Sequence, residues 1–360
     1  MDRPTLVNHA KISVIVPAYN AARDIPALID GIRATSLLDY EIIVVDDAST
    51  DATAAACRAK GDVRVVTLDA NAGPSRARNV GASVARGDIL IFLDTDIALP
   101  PGMDLLRDMA DCLEADADAD YIVTISAVQP LAVSAVAYNY SVYHTYYMER
   151  LLGGKRERRG PLMFFTTRLG AIRKEKFRRA GGFCESLWTV MNEDGEFGAR
   201  CYHLGYRGCC RAAFVHSHRY STELGRFMRN YFMTAMVQAL ISGKMDTSAD
   251  PSIAAPEKFR RLLAAALLAS PLLWMWLPTR FAFTLSATVF CIFLTSFGRI
   301  NTLVVRHVPL RFRFTWHLVY IAVTPAILLG YLYGILLDRT GRSLLKGRPS
   351  ELEFFTAVSA

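Results

Sequence analysis

The 360-residue chain has seven cysteines, Cys57, Cys112, Cys184, Cys201, Cys209, Cys210 and Cys291, and no Cys-x-x-Cys pair among them. That spacing excludes a thiolate zinc ribbon and needs no disulfide framework; it suits reduced thiols in a cytosolic domain. Met1 to Lys11 is polar and lacks an apolar core, so no signal peptide is expected. Strong charge is missing too. Lys and Arg total 41 against 34 Asp and Glu, a net charge of +7. So modest and so spread a charge gives no argument for nucleic-acid binding; its clusters fit a membrane surface better. There is no internal repeat. What the chain does not lack is apolar residues, at 52%. The excess lies after Phe259.

The first hundred residues alternate in period. Ile12 to Val16, Glu41 to Val45, Val63 to Leu68 and Ile89 to Leu93 are short runs rich in Val and Ile, which predict buried strands. Ile25 to Ala34, Ala52 to Ala59 and Ser75 to Ala85 between them predict helices. Strand–helix alternation predicts a parallel sheet with right-handed crossovers. Tyr121 to Ser126 predicts a further strand, and a helix is expected from about Glu193.

The runs end in residues that carry chemistry. Asp94-Thr95-Asp96 closes the run Ile89–Leu93, at the carboxyl end of a strand where ligands of open α/β sheets bind. Two hard oxygen donors there suit a divalent cation carrying a diphosphate. The first strand ends in Pro17-Ala18-Tyr19-Asn20, and Tyr19 is suited to stack on a flat base. The second ends in Asp46-Asp47, whose carboxylates suit a base imide or a ribose hydroxyl; Ser49, Thr50 and Asp51 read as caps of the next helix. Gly73-Pro74-Ser75-Arg76-Ala77-Arg78 offers a glycine turn leading into a basic helix start, a pattern suited to phosphate oxygens. Glu193, Asp194 and Glu196 form an acidic helix start.

Taken in order, these pieces resemble the family 2 glycosyltransferases of the GT-A fold. The motifs are Val-Ile-Val-Pro-Ala-Tyr-Asn (14–20), Val-Val-Asp-Asp-Ala-Ser-Thr-Asp (44–51), Ala-Arg-Asn-Val-Gly (77–81), Phe-Leu-Asp-Thr-Asp (92–96), the stretch 171–183 and Asn-Glu-Asp-Gly-Glu-Phe-Gly-Ala-Arg (192–200). The resemblance covers about residues 11–240. It implies an α/β, Rossmann-like, mostly parallel GT-A domain that takes a nucleotide sugar with Mn or Mg. It implies that Pro17 and Tyr19 line the base, that Asp46 or Asp47 holds base and ribose, and that Arg78 lies near the nucleotide. Asp94 then contacts the ribose and Asp96 binds the cation. Asp194 matches the catalytic base, with Glu193 and Glu196 orienting hydroxyls. The chemistry agrees, because inverting transfer needs a carboxylate to deprotonate the acceptor opposite a stabilised diphosphate leaving group. His216 is expected to complete the metal site, with His218 as the alternative. Tyr231-Phe232 resembles the tail of bacterial rhamnosyltransferases, but Met233 stands where those carry aspartate, so the sugar stays open between hexose and deoxyhexose. No Gln-x-x-Arg-Trp occurs, which sets the processive polysaccharide synthases apart.

The expected organisation is a GT-A domain over 1–244, a linker over 245–258, a membrane region over 259–340 and a tail over 341–360. Apolar segments 262–277, 281–297 and 316–337 are expected to enter the bilayer, the first two as a tight hairpin, with basic and aliphatic 299–314 along its surface. Arg and Lys clusters flank all three segments. Keeping every cluster inside requires the third segment to turn back at Pro325 and Gly330; otherwise the charge bias is overridden. Tyr138, Tyr140, Tyr143, Tyr146 and Tyr147 on one helix suit a membrane interface, and Lys155 to Arg159 read as a basic loop for a lipid phosphate or for closing over the donor. The expectation is a membrane-anchored, metal-dependent inverting glycosyltransferase at the inner membrane. Its catalytic domain would face the cytoplasm, and its acceptor would be a lipid or lipid-linked glycan used in cell-surface polysaccharide or glycolipid synthesis. The alternatives are transfer to polyprenyl phosphate and a non-catalytic nucleotide-binding subunit tethered to the membrane.

Overall fold

The computed structural model describes residues 12–99, 104–127, 133–185, 193–242 and 255–339. Met1 to Lys11, most of the expected linker and the expected tail lie outside them. Strands β1 (Ile12–Ala18), β2 (Tyr40–Asp46), β3 (Arg64–Thr67) and β4 (Ile89–Leu93) pair in parallel in the order β3-β2-β1-β4. β1, β2 and β4 are apolar and buried on both faces because helices cover both sides, whereas β3, at the sheet edge, is partly exposed. Helix α1 (Ile25–Arg33) shows how: Ile25, Leu28, Ile29 and Ile32 recur at one helical face and all four are buried. Helices α2 (Thr53–Ala59) and α3 (Gly73–Val84) complete the crossovers.

Beyond β4 the sheet is no longer purely parallel. After β5 (Ile97–Ala98) and α4 (Leu105–Ala115) come β6 (Tyr121–Ser126), α5 (Ala135–Leu152), β7 (Glu157–Gly160) and β8 (Leu169–Arg173). Strand β8 runs antiparallel to both β4 and β6. Helices α6 (Lys174–Arg179) and α7 (Glu193–His203) then lead to β9 (Gly208–His218), parallel to β6 and antiparallel to β5 and β7. The whole sheet follows the order β3-β2-β1-β4-β8-β6-β9-β5, with β7 on β9. Helix α5 has firm ends. Ser134 Oγ accepts from Ala137 N at 3.0 Å, and Gly153 stops the helix in the left-handed region at φ 60°.

The expected basic loop at 155–159 is instead largely strand. Arg158 donates to Leu151 O at the end of α5 at 2.7 Å, and Arg159 pairs with Glu157 and Asp116, so these two cations are held by the domain's own groups.

Helix α8 (Leu224–Ser242) ends the first part of the chain, and α9 (Ala255–Leu273), α10 (Thr279–Ser296), α11 (Arg299–His307) and α12 (Leu310–Arg339) follow. Among the described residues, two helical stretches are long and apolar enough to cross a membrane: Thr279–Ser296 and Leu310–Leu337. Helix α9 begins at Ala255, so the end of the expected linker is helical. The expected surface stretch 299–314 is broken after α11, because Pro309 has no N–H with which to continue that helix. Helix α12 is continuous through Pro325, so the segment does not turn back there. It packs on α8 and α5. A Cβ at Gly330 would lie 2.1 Å from Phe232 O, and one at Gly334 would lie 2.4 Å from Met236 O, so glycine is what lets α8 and α12 touch backbone to backbone. Trp316 Nε1 donates to Tyr138 O at 3.3 Å, tying the other end to α5.

Candidate active site

The carboxyl ends of β1, β2 and β4, the start of α7 and the end of β9 surround one cavity of about 1280 Å³. Pro17, Tyr19, Asp47, Arg78, Asp94, Asp96, Glu193 and Asp194 all line it. Tyr19 is half exposed at its edge. The loop that carries it is held to the β2 loop, with Asn20 N donating to Ser49 Oγ at 2.9 Å and Thr50 N donating to Asn20 Oδ1 at 2.8 Å.

The acidic pair Asp46-Asp47 divides. Asp46 is buried outside the cavity lining and accepts from Ser49 N at 3.1 Å. Asp47 accepts from Ala72 N and Gly73 N, both at 2.8 Å, and so holds the start of α3. Each carboxylate has found backbone amides, which removes the repulsion expected of two adjacent acids.

Arg78 is engaged by the protein's own carboxylates. It is buried, and its two terminal nitrogens donate to Asp94 Oδ1 and Glu193 Oε1, both at 2.7 Å. It joins the two acidic motifs within the cavity lining. Burial and the charges of Asp96 and Glu193 hold Asp94 above the usual carboxylate range in spite of Arg78. Glu196 is fully buried and paired with Arg200, so it faces away from the cavity.

Asp194 follows Glu193 at the start of α7 and accepts from Gly195 N at 2.8 Å. Burial, and then the neighbouring Glu193 charge, push its pKa up to about 6. A carboxylate tuned towards neutrality in a cleft is suited to take a proton at physiological pH.

Burial alone would raise Asp96, but His218 and Arg168 together hold it below the usual carboxylate value. His218 Nε2 lies 3.3 Å from Asp96 Oδ2. Asp96 Oδ1 and His218 Nδ1 are buried without a hydrogen-bond partner among the described residues. His216 does not take the place expected of it. It is buried, with Nδ1 2.9 Å from Thr124 Oγ1 and Nε2 3.1 Å from Ser126 Oγ. Its neighbour is β6, in register at Ser126, whereas His218 lies alongside Ile97, one residue beyond Asp96. Strand period puts both imidazoles on one side of β9, but their neighbours differ.

Among the described residues no three of His, Cys, Asp and Glu converge on one point. Asp96 and His218, adjacent and each with a buried polar atom lacking a partner among the described residues, are the side chains that could hold a divalent cation.

The sequence reading missed Arg168, Arg219, Tyr220 and His144, which also line the cavity. Arg168 arrives on β8: Leu169 pairs with Leu93 and Asp94 N donates to Arg168 O at 2.9 Å. An arginine leading into the short apolar run Leu169–Ile172 was the available signal.

The family model for "Glycosyl transferase family 2" matches residues 13–181. Over that stretch the chain is similar to that family. An uncharacterized glycosyltransferase of Haemophilus influenzae is 26% identical to this chain over 197 residues, 51% of this chain and 60% of the relative. This chain thus spans less than two thirds of that protein. The O-antigen chain rhamnosyltransferase RfbN of Salmonella typhimurium is 29% identical over 240 residues, covering 64% of this chain and 73% of its own length. Among solved structures, the mannosyltransferase PcManGT of Pyrobaculum calidifontis, in complex with GDP-Man and Mn2+, superposes with a TM-score of 0.63 at 21% identity. That superposition covers 91% of this chain and 88% of that one, and the shared fold is GT-A.

Proposed function

We propose that this chain is a membrane-anchored, metal-dependent inverting glycosyltransferase. It moves a hexose or deoxyhexose from a nucleotide sugar to a lipid or lipid-linked glycan. The observation that carries the reading is a single cavity lined by an open, buried Asp96 Oδ1 beside His218 and by a carboxylate, Asp194, whose pKa is raised to about 6. Residues 1–244 act as the catalytic domain, and 259–340 hold it at the inner membrane through α10 and α12, with the cavity towards the cytoplasm where nucleotide sugars are made. A nucleotide sugar in this cavity would set its base against Tyr19 and its ribose near Asp47 and Asp94, all of which line it.

Asp96 and His218 would hold the divalent cation, which neutralises charge on the diphosphate leaving group when bound. Asp194 accepts the acceptor's hydroxyl proton. The acceptor oxygen then bonds to the anomeric carbon while the bond from that carbon to the phosphate oxygen breaks, and its electron pair leaves with the diphosphate. Attack opposite the leaving group inverts the carbon. Glu193, fixed by Arg78, keeps Asp194 poised by its charge. A base tuned in this way favours a hydroxyl acceptor over polyprenyl phosphate, which is already a nucleophile.

The reading is tested by incubating the purified full chain with each nucleotide sugar, Mg2+ or Mn2+ and a membrane lipid extract. One donor should release nucleoside diphosphate together with a new glycolipid. Nucleotide binding without turnover on any lipid would favour the non-catalytic subunit instead.

A further inference from the structure

Arg168 stands on the cavity lining beside the acidic motifs, and nothing described so far accounts for its charge. Its neighbours in the site are accounted for: Arg78 satisfies Asp94 and Glu193, and His218 faces Asp96. The Arg168 guanidinium makes no ion pair among the described residues; Nη2 donates to His144 Nε2 at 2.9 Å. An imidazole nitrogen that accepts carries no proton, so this partner brings no negative charge. Burial, and then the Arg168 charge, hold the His144 imidazole well below its usual pKa and keep it neutral. The ring is also held in place. His144 stacks on Tyr220 at 6.0 Å and 16°, and Tyr140, one helical turn earlier on α5, stacks on the same tyrosine at 5.3 Å and 10°. A half-buried cation braced by a neutral ring is costly unless a ligand supplies the anion. The charges that act on Arg168 include Asp194, Asp94 and Asp96, so it stands among the groups assigned to the proton and to the cation.

We propose that Arg168 binds the terminal phosphate of the donor's diphosphate and neutralises the charge that phosphate gains as the sugar departs, with His144 as its positioning residue. The assignment rests on the glycosyl-transfer reading above. In that reaction the bond from the anomeric carbon to the phosphate oxygen breaks, and the electron pair stays on that oxygen. A guanidinium already aimed at it stabilises the growing charge without reorganising and exchanges no proton. The fold thereby supplies, from the strand antiparallel to β4, a diphosphate cation that its family-matched motifs do not provide once Arg78 is committed to Asp94 and Glu193.

The test compares a nucleoside diphosphate with the corresponding monophosphate, binding to the full chain in detergent with Mg2+, by calorimetry. The wild type should favour the diphosphate. Arg168→Gln should lose about 10- to 100-fold in diphosphate affinity, leave monophosphate affinity unchanged and so collapse the ratio. Arg168→Lys, which keeps the charge and the fold, should retain part of the ratio. His144→Gln should weaken diphosphate binding less than Arg168→Gln does. A diphosphate-to-monophosphate ratio that stays at the wild-type value in both Arg168 variants overturns the assignment and leaves the glycosyl-transfer reading standing. A wild type that binds neither nucleotide overturns that reading and this assignment with it.

Discussion

The two sides of the cavity treat charge differently. On the β1–β2–α3 side every acid is committed. Asp46 and Asp47 accept from backbone amides, and Asp94 and Glu193 share Arg78. On the β8–β9 side polar groups are left open: Asp96 Oδ1, His218 Nδ1 and an Arg168 paired only to a neutral ring. Committed groups fix the shape of the site. Open ones are where a ligand's charge and oxygens are to be met, because buried polar atoms without partners cost free energy until something fills them. The Asp94-Thr95-Asp96 turn lies on this divide, one carboxylate satisfied by the protein and the other available.

The sharpest way to break the contrast is to remove the committed cation. Arg78→Met should leave two carboxylates facing each other in a buried site and destabilise the fold by roughly 3–5 kcal/mol, read as a large drop in melting temperature. An unchanged melting temperature would show that the pairing does not hold the site together.

On the open side, His218→Ala should weaken activation by Mn2+ by at least about tenfold with little loss of stability. His216→Ala should do the opposite, costing about 1–3 kcal/mol through Thr124 and Ser126 and leaving cation activation alone. Equal metal effects at both positions would erase the distinction drawn between them.

A smaller effect sharpens the account of Asp194. The base must be ionised, and its raised pKa means that this form is lost as pH falls through about 6, so kcat/KM should drop on the acid side there. Glu193→Gln removes a neighbouring negative charge that raises Asp194, so the acid limb should move to lower pH. A limb that stays in place would mean that another group titrates.

Much of this was legible before the structure, for physical reasons that differ by region. Strands β1, β2 and β4 are apolar runs buried on both faces, so Tyr19, Asp47, Asp94 and Asp96 could be put at their carboxyl ends from periodicity alone. Strand β9 is broken by Arg211 and exposed residues, and nothing local distinguishes His216 from His218; only the registers with β6 and β5 do. The partners of Arg78 lie 16 and 115 residues away, at Asp94 and Glu193, so no local pattern shows that the arginine is already taken. The reversal expected at Pro325 failed because a proline inside a helix can be absorbed when neighbouring helices pack on both sides of it, as α5 and α8 do here.

The central claim is that Asp194 takes the acceptor's proton while the open side of the cavity holds the donor. The most direct measurement compares wild type and Asp194→Asn for transfer and for donor binding under identical conditions. The account predicts donor affinity within about twofold of wild type and transfer lowered by about 10²- to 10⁴-fold. Transfer by Asp194→Asn at the wild-type rate would contradict it.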